Sequence, residues 1–172
     1  MKKLNWGIIG TGWIAHEMGA ALQEENGEIY AVCGTSKEKA EKFAQEFGVD
    51  QAYGNTEELF MDEKVDIVYI ATPHNTHYEL MKKAISAGKH VLCEKSITVN
   101  GRQLEECVAL AKEKGVVVSD AMTIFHMPLY KKLKKIIADG AIGEVKMVQV
   151  NFGSCKEYDV TNRFFSKELA GG

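Results

Sequence analysis

No stretch of this 172-residue chain is apolar for long enough to span a bilayer as a helix, which takes roughly 20 residues. Met1-Lys2-Lys3 runs straight into a strand-like segment, with no signal-type apolar core and no small-residue cleavage site. Basic charge is also in short supply. The net charge of -3 and the absence of a basic stripe exclude a nucleic-acid-binding surface of the usual kind. The densest cluster, Lys131-Lys132 with Lys134-Lys135, alternates with Leu133, Ile136 and Ile137, as on the solvated face of one amphipathic helix. The four cysteines, Cys33, Cys93, Cys107 and Cys155, form no C-x-x-C, and no His/Cys/Asp cluster has metal-ligand spacing. Free thiols in a reducing cytoplasm are expected, with no metal, no membrane partner and no nucleic acid.

What is there is the composition of an ordinary globular domain, 45% hydrophobic and 26% charged. The chain is organised around Gly7-Ile8-Ile9-Gly10-Thr11-Gly12-Trp13-Ile14-Ala15. Leu4 to Ile9 reads as a buried strand, and an amphipathic helix with Ile14, Met18, Ala21 and Leu22 on its apolar face follows Gly10 at once. In a strand, G-x-G-x-x-A, helix pattern the first glycine makes the tight turn. The second lets a pyrophosphate approach the backbone, and the small third residue lets the helix pack close. The free N–H groups at the helix start then face the phosphates. Gly10, Thr11, Gly12, Trp13 and Ile14 are therefore candidate dinucleotide contacts.

Strands and helices alternate from there. Strands are expected at Glu28 to Cys33, Gln51 to Tyr53, Val65 to Ala71, Lys89 to Cys93 and Val116 to Ser119. Helices are expected after Ser36 (buried face Ala40, Phe43, Ala44 and Phe47, ended by Gly48) and at Thr56 to Phe60. Another follows Asn75 or Thr76 as cap (buried face Leu80, Met81, Ala84 and Ile85). The last two run from Gly101 to Lys114 (inward Leu104, Cys107, Val108 and Ala111) and from Pro128 to Asp139. This spacing predicts an α/β fold, a Rossmann-type doubly wound parallel sheet with helices on both faces. Right-handed crossovers gather the loops after strands one, two, four and five at the carboxyl edge, where ligands of such sheets bind. Val145 to Phe152 reads as a further strand with no crossover helix behind it, and the chain stops on Ala-Gly-Gly. The expected division is residues 1–120 as the dinucleotide-binding domain and 121–144 as a connecting helix and turn. Residues 145–172 are expected to begin a truncated α+β substrate or oligomerisation domain.

The second strand ends in Gly34-Thr35-Ser36-Lys37, with no carboxylate before Glu38. An acidic residue there would bind the ribose 2′-OH of NAD, whereas hydroxyls and a cation suit a 2′-phosphate. Thr35, Ser36 and Lys37 therefore favour NADP, with NAD still possible.

Three motifs, in order, make the chain resemble the glucose–fructose oxidoreductase / inositol dehydrogenase / rhizopine-catabolism (Gfo/Idh/MocA) family. They are Gly7 to Ala15, Ala71-Thr72-Pro73-His74-Asn75-Thr76-His77, and Gly88-Lys89-His90-Val91-Leu92-Cys93-Glu94-Lys95. Ala121-Met122, Asn162-Arg163-Phe164-Phe165 and Leu169-Ala170-Gly171-Gly172 look most like its dihydrodiol and pentose dehydrogenase branch. The resemblance implies an oxidoreductase that moves a hydride between NADP or NAD and a secondary alcohol or carbonyl of a sugar, polyol or cyclic diol. It implies Lys95 as the catalytic residue, and Ala71, Thr72, Pro73, His74, His77, Glu94 and Lys95 around the cofactor. It also implies a homo-oligomer for the full-length protein, with the second catalytic residue beyond Gly172. This portion is expected to bind cofactor but not to turn over substrate alone. Ser96 replaces the family's proline, and Phe125 and His126 depart from its pattern on the substrate side. The role of Arg163 stays open between binding substrate and anchoring a loop. A non-catalytic NAD(P)-sensing module is the alternative reading.

Overall fold

The structure, a computed structural model, describes residues 3–25, 27–153, 155, 157–159 and 165. Six strands form one sheet: β1 (Asn5–Ile9), β2 (Glu28–Cys33), β3 (Gln51–Tyr53), β4 (Ile67–Ile70), β5 (His90–Cys93) and β6 (Val118–Asp120). All pairs are parallel and the order is β3-β2-β1-β4-β5-β6. The helices between them are α1 (Trp13–Glu24), α2 (Lys37–Phe47), α3 (Thr56–Met61), α4 (His74–Ser86) and α5 (Gly101–Lys114). A 3-10 turn (Thr123–Phe125) and α6 (Pro128–Ala138) follow β6. Strand order reverses beside β1, which opens a crevice at the carboxyl ends of β1 and β4.

Alternation along the strands divides the core between the two faces of the sheet. Ile8, Val32 and Tyr69 pack with Ala15 and Leu22 of α1 and Ala40 and Phe43 of α2. Ile9, Cys33, Val68, Ile70, Val91 and Cys93 pack on the other face with Leu59 and Phe60 of α3, Met81, Ala84 and Ile85 of α4, and Cys107 and Ala111 of α5. Tyr30 and Ala31 both join this second cluster, where the β1–β2 register slips between Trp6 and Gly7.

Several expectations need correction. Ala21 is exposed; α1 buries Leu22 as expected, together with Ala15 and Gly19. A stripe three to four residues apart holds α1 against the sheet, and Gly19 is in it because the Phe47 ring lies 2.8 Å from where its Cβ would be. On α5, Val108 is 54% exposed, while Leu104 is half-buried. Neither Asn75 nor Thr76 caps α4: the cap position is Pro73, and both lie within the first turn. β4 and β5 are shorter than expected. Lys89 lies in the turn that closes α4, its N–H donating to Ala84 O at 3.0 Å and its buried ammonium to Asp62 O and Val65 O. β6 starts late because Val116 N donates to Ala111 O, closing α5 over the left-handed Gly115. Residues 145–153 are exposed and form no strand. A strand needs a neighbour for its N–H and C=O groups, and an apolar period does not supply one. α6 likewise buries none of its residues.

Met81 is fully buried at the α4–sheet contact. Met81→Ala should cost about 2–5 kcal/mol, read as a lower midpoint in thermal unfolding; an unchanged midpoint would show that α4 is not fastened there.

Candidate functional site

The carboxyl edge of the sheet is levelled by backbone bonds that run one residue past each strand. Gly10 N donates to Cys33 O at 2.8 Å, Ala71 N to Ile9 O at 2.8 Å, and Glu94 N to Ile70 O at 3.0 Å. The loops after β1, β4 and β5 therefore start side by side. Between them and the β2–α2 loop lies a cleft of about 620 Å³. It is lined by Gly10, Thr11, Gly12, Trp13, Ile14, Thr35, Ala71, Thr72, Pro73, His74, Glu94 and Lys95. All twelve were singled out from sequence, and residues up to 85 positions apart in the chain thus line one cleft.

Gly10 sits at φ +111, and a Cβ there would lie 2.5 Å from Ala71 O. Gly12 has an ordinary backbone (φ -85, ψ 178), and a Cβ on it would meet nothing within 4 Å. The space it leaves free belongs to the cleft. α1 starts at Gly12 with no side-chain cap, and α4 starts at Pro73 with none. By contrast α2, α3 and α5 are capped by Ser36, Asn55 and Asn100. Two uncapped N-termini thus open onto one cleft, an arrangement that favours a ligand with negative charge.

On the far wall, buried Tyr69 on β4 donates its hydroxyl to Glu94 Oε1 at 2.6 Å, and Lys95 N donates to Glu94 Oε2 at 3.2 Å. Burial, then the neighbouring Glu94, push the Tyr69 phenol up, so it stays a donor. Glu94 is held by both oxygens, while the Lys95 side chain is exposed at the mouth. The Lys95–Ser96 peptide bond is cis. The nearby thiols are inert: burial, and secondarily Glu58, push Cys33 up to about 11, and burial raises Cys93 as well.

Three candidates stand apart from the cleft. Ser36 is spent as the α2 cap, accepting from Lys39 N at 3.4 Å. Lys37 lies against Gly54, where an added Cβ would sit 3.2 Å from the Lys37 Cβ. His77 is fully buried behind the wall. In their place come side chains that the sequence reading did not assign to the ligand: His16, Lys39, Lys42 and Glu46, with Phe43, expected only as a buried residue of α2. Lys39 Nζ donates to Thr35 Oγ1 at 3.3 Å. His16 bonds Gly12 O through Nδ1 at 2.9 Å and meets Glu46 at 3.3 Å through Nε2. Positions 39, 42, 43 and 46 fall on one helical face, and position 37 turns about 200° away from 39. That periodicity was the available signal. His90, at the start of β5, accepts from Val117 N through Nδ1 at 3.0 Å. Phe125 lines a separate apolar hollow of about 290 Å³ with Ile124, Tyr130, Leu133 and Ile137. Arg163 lies outside the described residues, as do Asn162, Phe164 and 169–172.

The sheet order and its glycine turn at the switch point define a Rossmann-type domain of the NAD-binding class. The sequence model of the oxidoreductase family with an NAD-binding Rossmann fold (Gfo/Idh/MocA) matches residues 4–122, and the chain belongs to that family. Trans-1,2-dihydrobenzene-1,2-diol dehydrogenase of Mus musculus is 35% identical over 153 residues, 87% of this chain and 46% of that protein. The Homo sapiens protein of the same name is 33% identical over 172 residues, 98% of this chain and 51% of its own length. The chain thus spans about half the length of the curated relatives it matches. Among solved structures, an NAD binding oxidoreductase from Klebsiella pneumoniae superposes with a TM-score of 0.75 at 34% identity, covering 80% of this chain and 39% of that one. KijD10, a 3-ketoreductase from Actinomadura kijaniata in complex with NADP and TDP-benzene, gives 0.78 at 31% identity over 83% of this chain and 44% of that one.

The two glycines should separate fold from binding. Gly10→Ala forces a side chain into the Ala71 carbonyl and should lower the unfolding midpoint. Gly12→Ala should leave the midpoint in place and weaken nicotinamide dinucleotide binding, titrated with NADH and with NADPH, about tenfold, a loss of about 1.4 kcal/mol. Unimpaired binding by Gly12→Ala would put the nucleotide elsewhere.

Proposed function

We propose that this chain is the cofactor-binding part of an NAD(P)-dependent dehydrogenase that acts on a secondary alcohol or carbonyl of a sugar, polyol or cyclic diol. The observation that carries this reading is the placement of Lys95 and Glu94 on the same cleft as the uncapped starts of α1 and α4. When bound there, the nicotinamide supplies or accepts the hydride. Gly10 to Ile14 hold phosphate through backbone N–H groups. Glu94, fastened by Tyr69, keeps the Lys95 backbone in place. The Lys95 ammonium offsets charge that develops on the substrate oxygen and exchanges a proton with it. The dihydrodiol dehydrogenases and the 3-ketoreductase among its relatives, by their names, fit an oxygen-bearing carbon as the reacting centre. Residues 1–120 form the nucleotide domain in this proposal and 121–144 a connector, with 145–172 the start of a second domain that supplies most of the substrate wall. The 172-residue chain alone then binds cofactor without turnover, and the full-length protein is a cytoplasmic homo-oligomer.

NADP is the proposed cofactor, with its 2′-phosphate held by Thr35 and Lys39 rather than by Ser36 and Lys37. Lys39 lines the cleft and already reaches the Thr35 hydroxyl. NADPH should bind more tightly than NADH. Lys39→Ala should loosen NADPH about tenfold while leaving NADH and Lys37→Ala close to the parent, since an ion pair with phosphate is a strong, local interaction. A loss confined to Lys37→Ala would restore the earlier assignment.

In the full-length protein, Lys95→Ala should abolish turnover of polyol and aldose substrates while NADPH binding persists. Unchanged turnover would remove Lys95 from the chemistry. Absence of turnover in the parent, with binding intact, would favour a sensor.

A further inference from the structure

His77 is the one fully buried histidine of the described residues, and it stands between two loops of the cleft wall. Nδ1 lies 2.8 Å from Ser96 O, and Nε2 lies 2.9 Å from Thr72 O. A carbonyl oxygen can only accept. A neutral imidazole has one N–H and satisfies one of the two; an imidazolium has two and satisfies both. Ser96 directly follows Lys95, and Thr72, in the β4–α4 loop, lines the same cleft as Lys95.

We propose that His77 is a positioning residue whose ring ties the Lys95 loop to the Thr72–Pro73 turn, so that the number of N–H groups it carries sets how firmly Lys95 is held at the cleft. The inference rests on the reading of Lys95 as the residue that meets the bound nucleotide.

The ring's surroundings oppose one another. Burial disfavours the charged ring most, and the carbonyls of Thr72 and Ser96 favour it. His74, one turn before it on α4 with ring centroids 5.6 Å apart, disfavours it; Glu94 at the end of β5 favours it. Burial prevails, holding His77 below the ordinary imidazole value. Near neutral pH the ring therefore holds one carbonyl. Protonation, which burial defers to a pH below the ordinary imidazole range, adds the second bond, so the loop tightens as pH falls.

The test has two arms. In the unmutated chain, nitrogen-15 spectra of the His77 imidazole should show one protonated nitrogen with a slowly exchanging proton at pH 7.5, and a second on acidification. A freely exchanging N–H would overturn the clamp. In the second arm, acylation of Lys95 is followed by mass spectrometry with and without saturating NADPH. The parent chain should show protection that deepens at acid pH. His77→Gln, which donates but does not titrate, should keep protection and lose its pH dependence. His77→Phe, with no donor, should lose protection while binding NADPH; if it does not fold, the His77→Gln comparison decides. Retained pH dependence in His77→Gln sinks the clamp alone. No protection of Lys95 in a parent chain that binds NADPH sinks the reading of Lys95 instead.

Discussion

The site depends on the close approach of two strand ends, Gly10 after β1 and Ala71 after β4. Ala71 N bonds Ile9 O, and Gly10 turns away at φ +111 with no room for a Cβ against the Ala71 carbonyl. This contact lies where the strand order reverses, so the chain leaves β1 toward one face of the sheet and β4 toward the other. The crevice between α1 and α4 follows from that divergence. Without the tight turn, α1 would start further from the sheet edge, and its free N–H groups would point past the cleft.

The chemistry of the wall is similarly constrained by what surrounds it. Cysteines are present nearby but neutral, because burial without a cation raises their pKa. Glu94 has both oxygens engaged, one by a buried phenol and one by the backbone of its neighbour. His16 is tied to Gly12 O and Glu46. Lys95 is left with its side chain exposed at the mouth, on a loop whose two ends are anchored by Glu94 and by Ser96 through His77.

Much of this was legible in the residues. Period-2 and period-3.6 patterns placed β2, β3 and α5 at their observed bounds, and the glycine turn located the cleft. The misreadings share a cause. Val108 and Ala21 are apolar residues on helical faces that the sheet does not cover. Lys37 was the first cation after β2, but α2's rotation carries Lys39 to the cleft instead. His77 looked like a pocket residue because its motif borders one; its ring instead serves two carbonyls that lie 5 and 19 positions away in sequence.

The sequence by itself determined the elements, their alternation and the glycine turn, because these rest on local φ/ψ limits and on residues spaced within one helix or strand. Tertiary structure alone decided which face of α2 meets the ligand, that α1 and α4 are the uncapped helices at the cleft, and that His77 stands behind Lys95. It also decided that 145–153 stays unpaired, since strand formation depends on a neighbour. These are relations between segments far apart in the chain, fixed by packing and hydrogen-bond partners that no local pattern encodes.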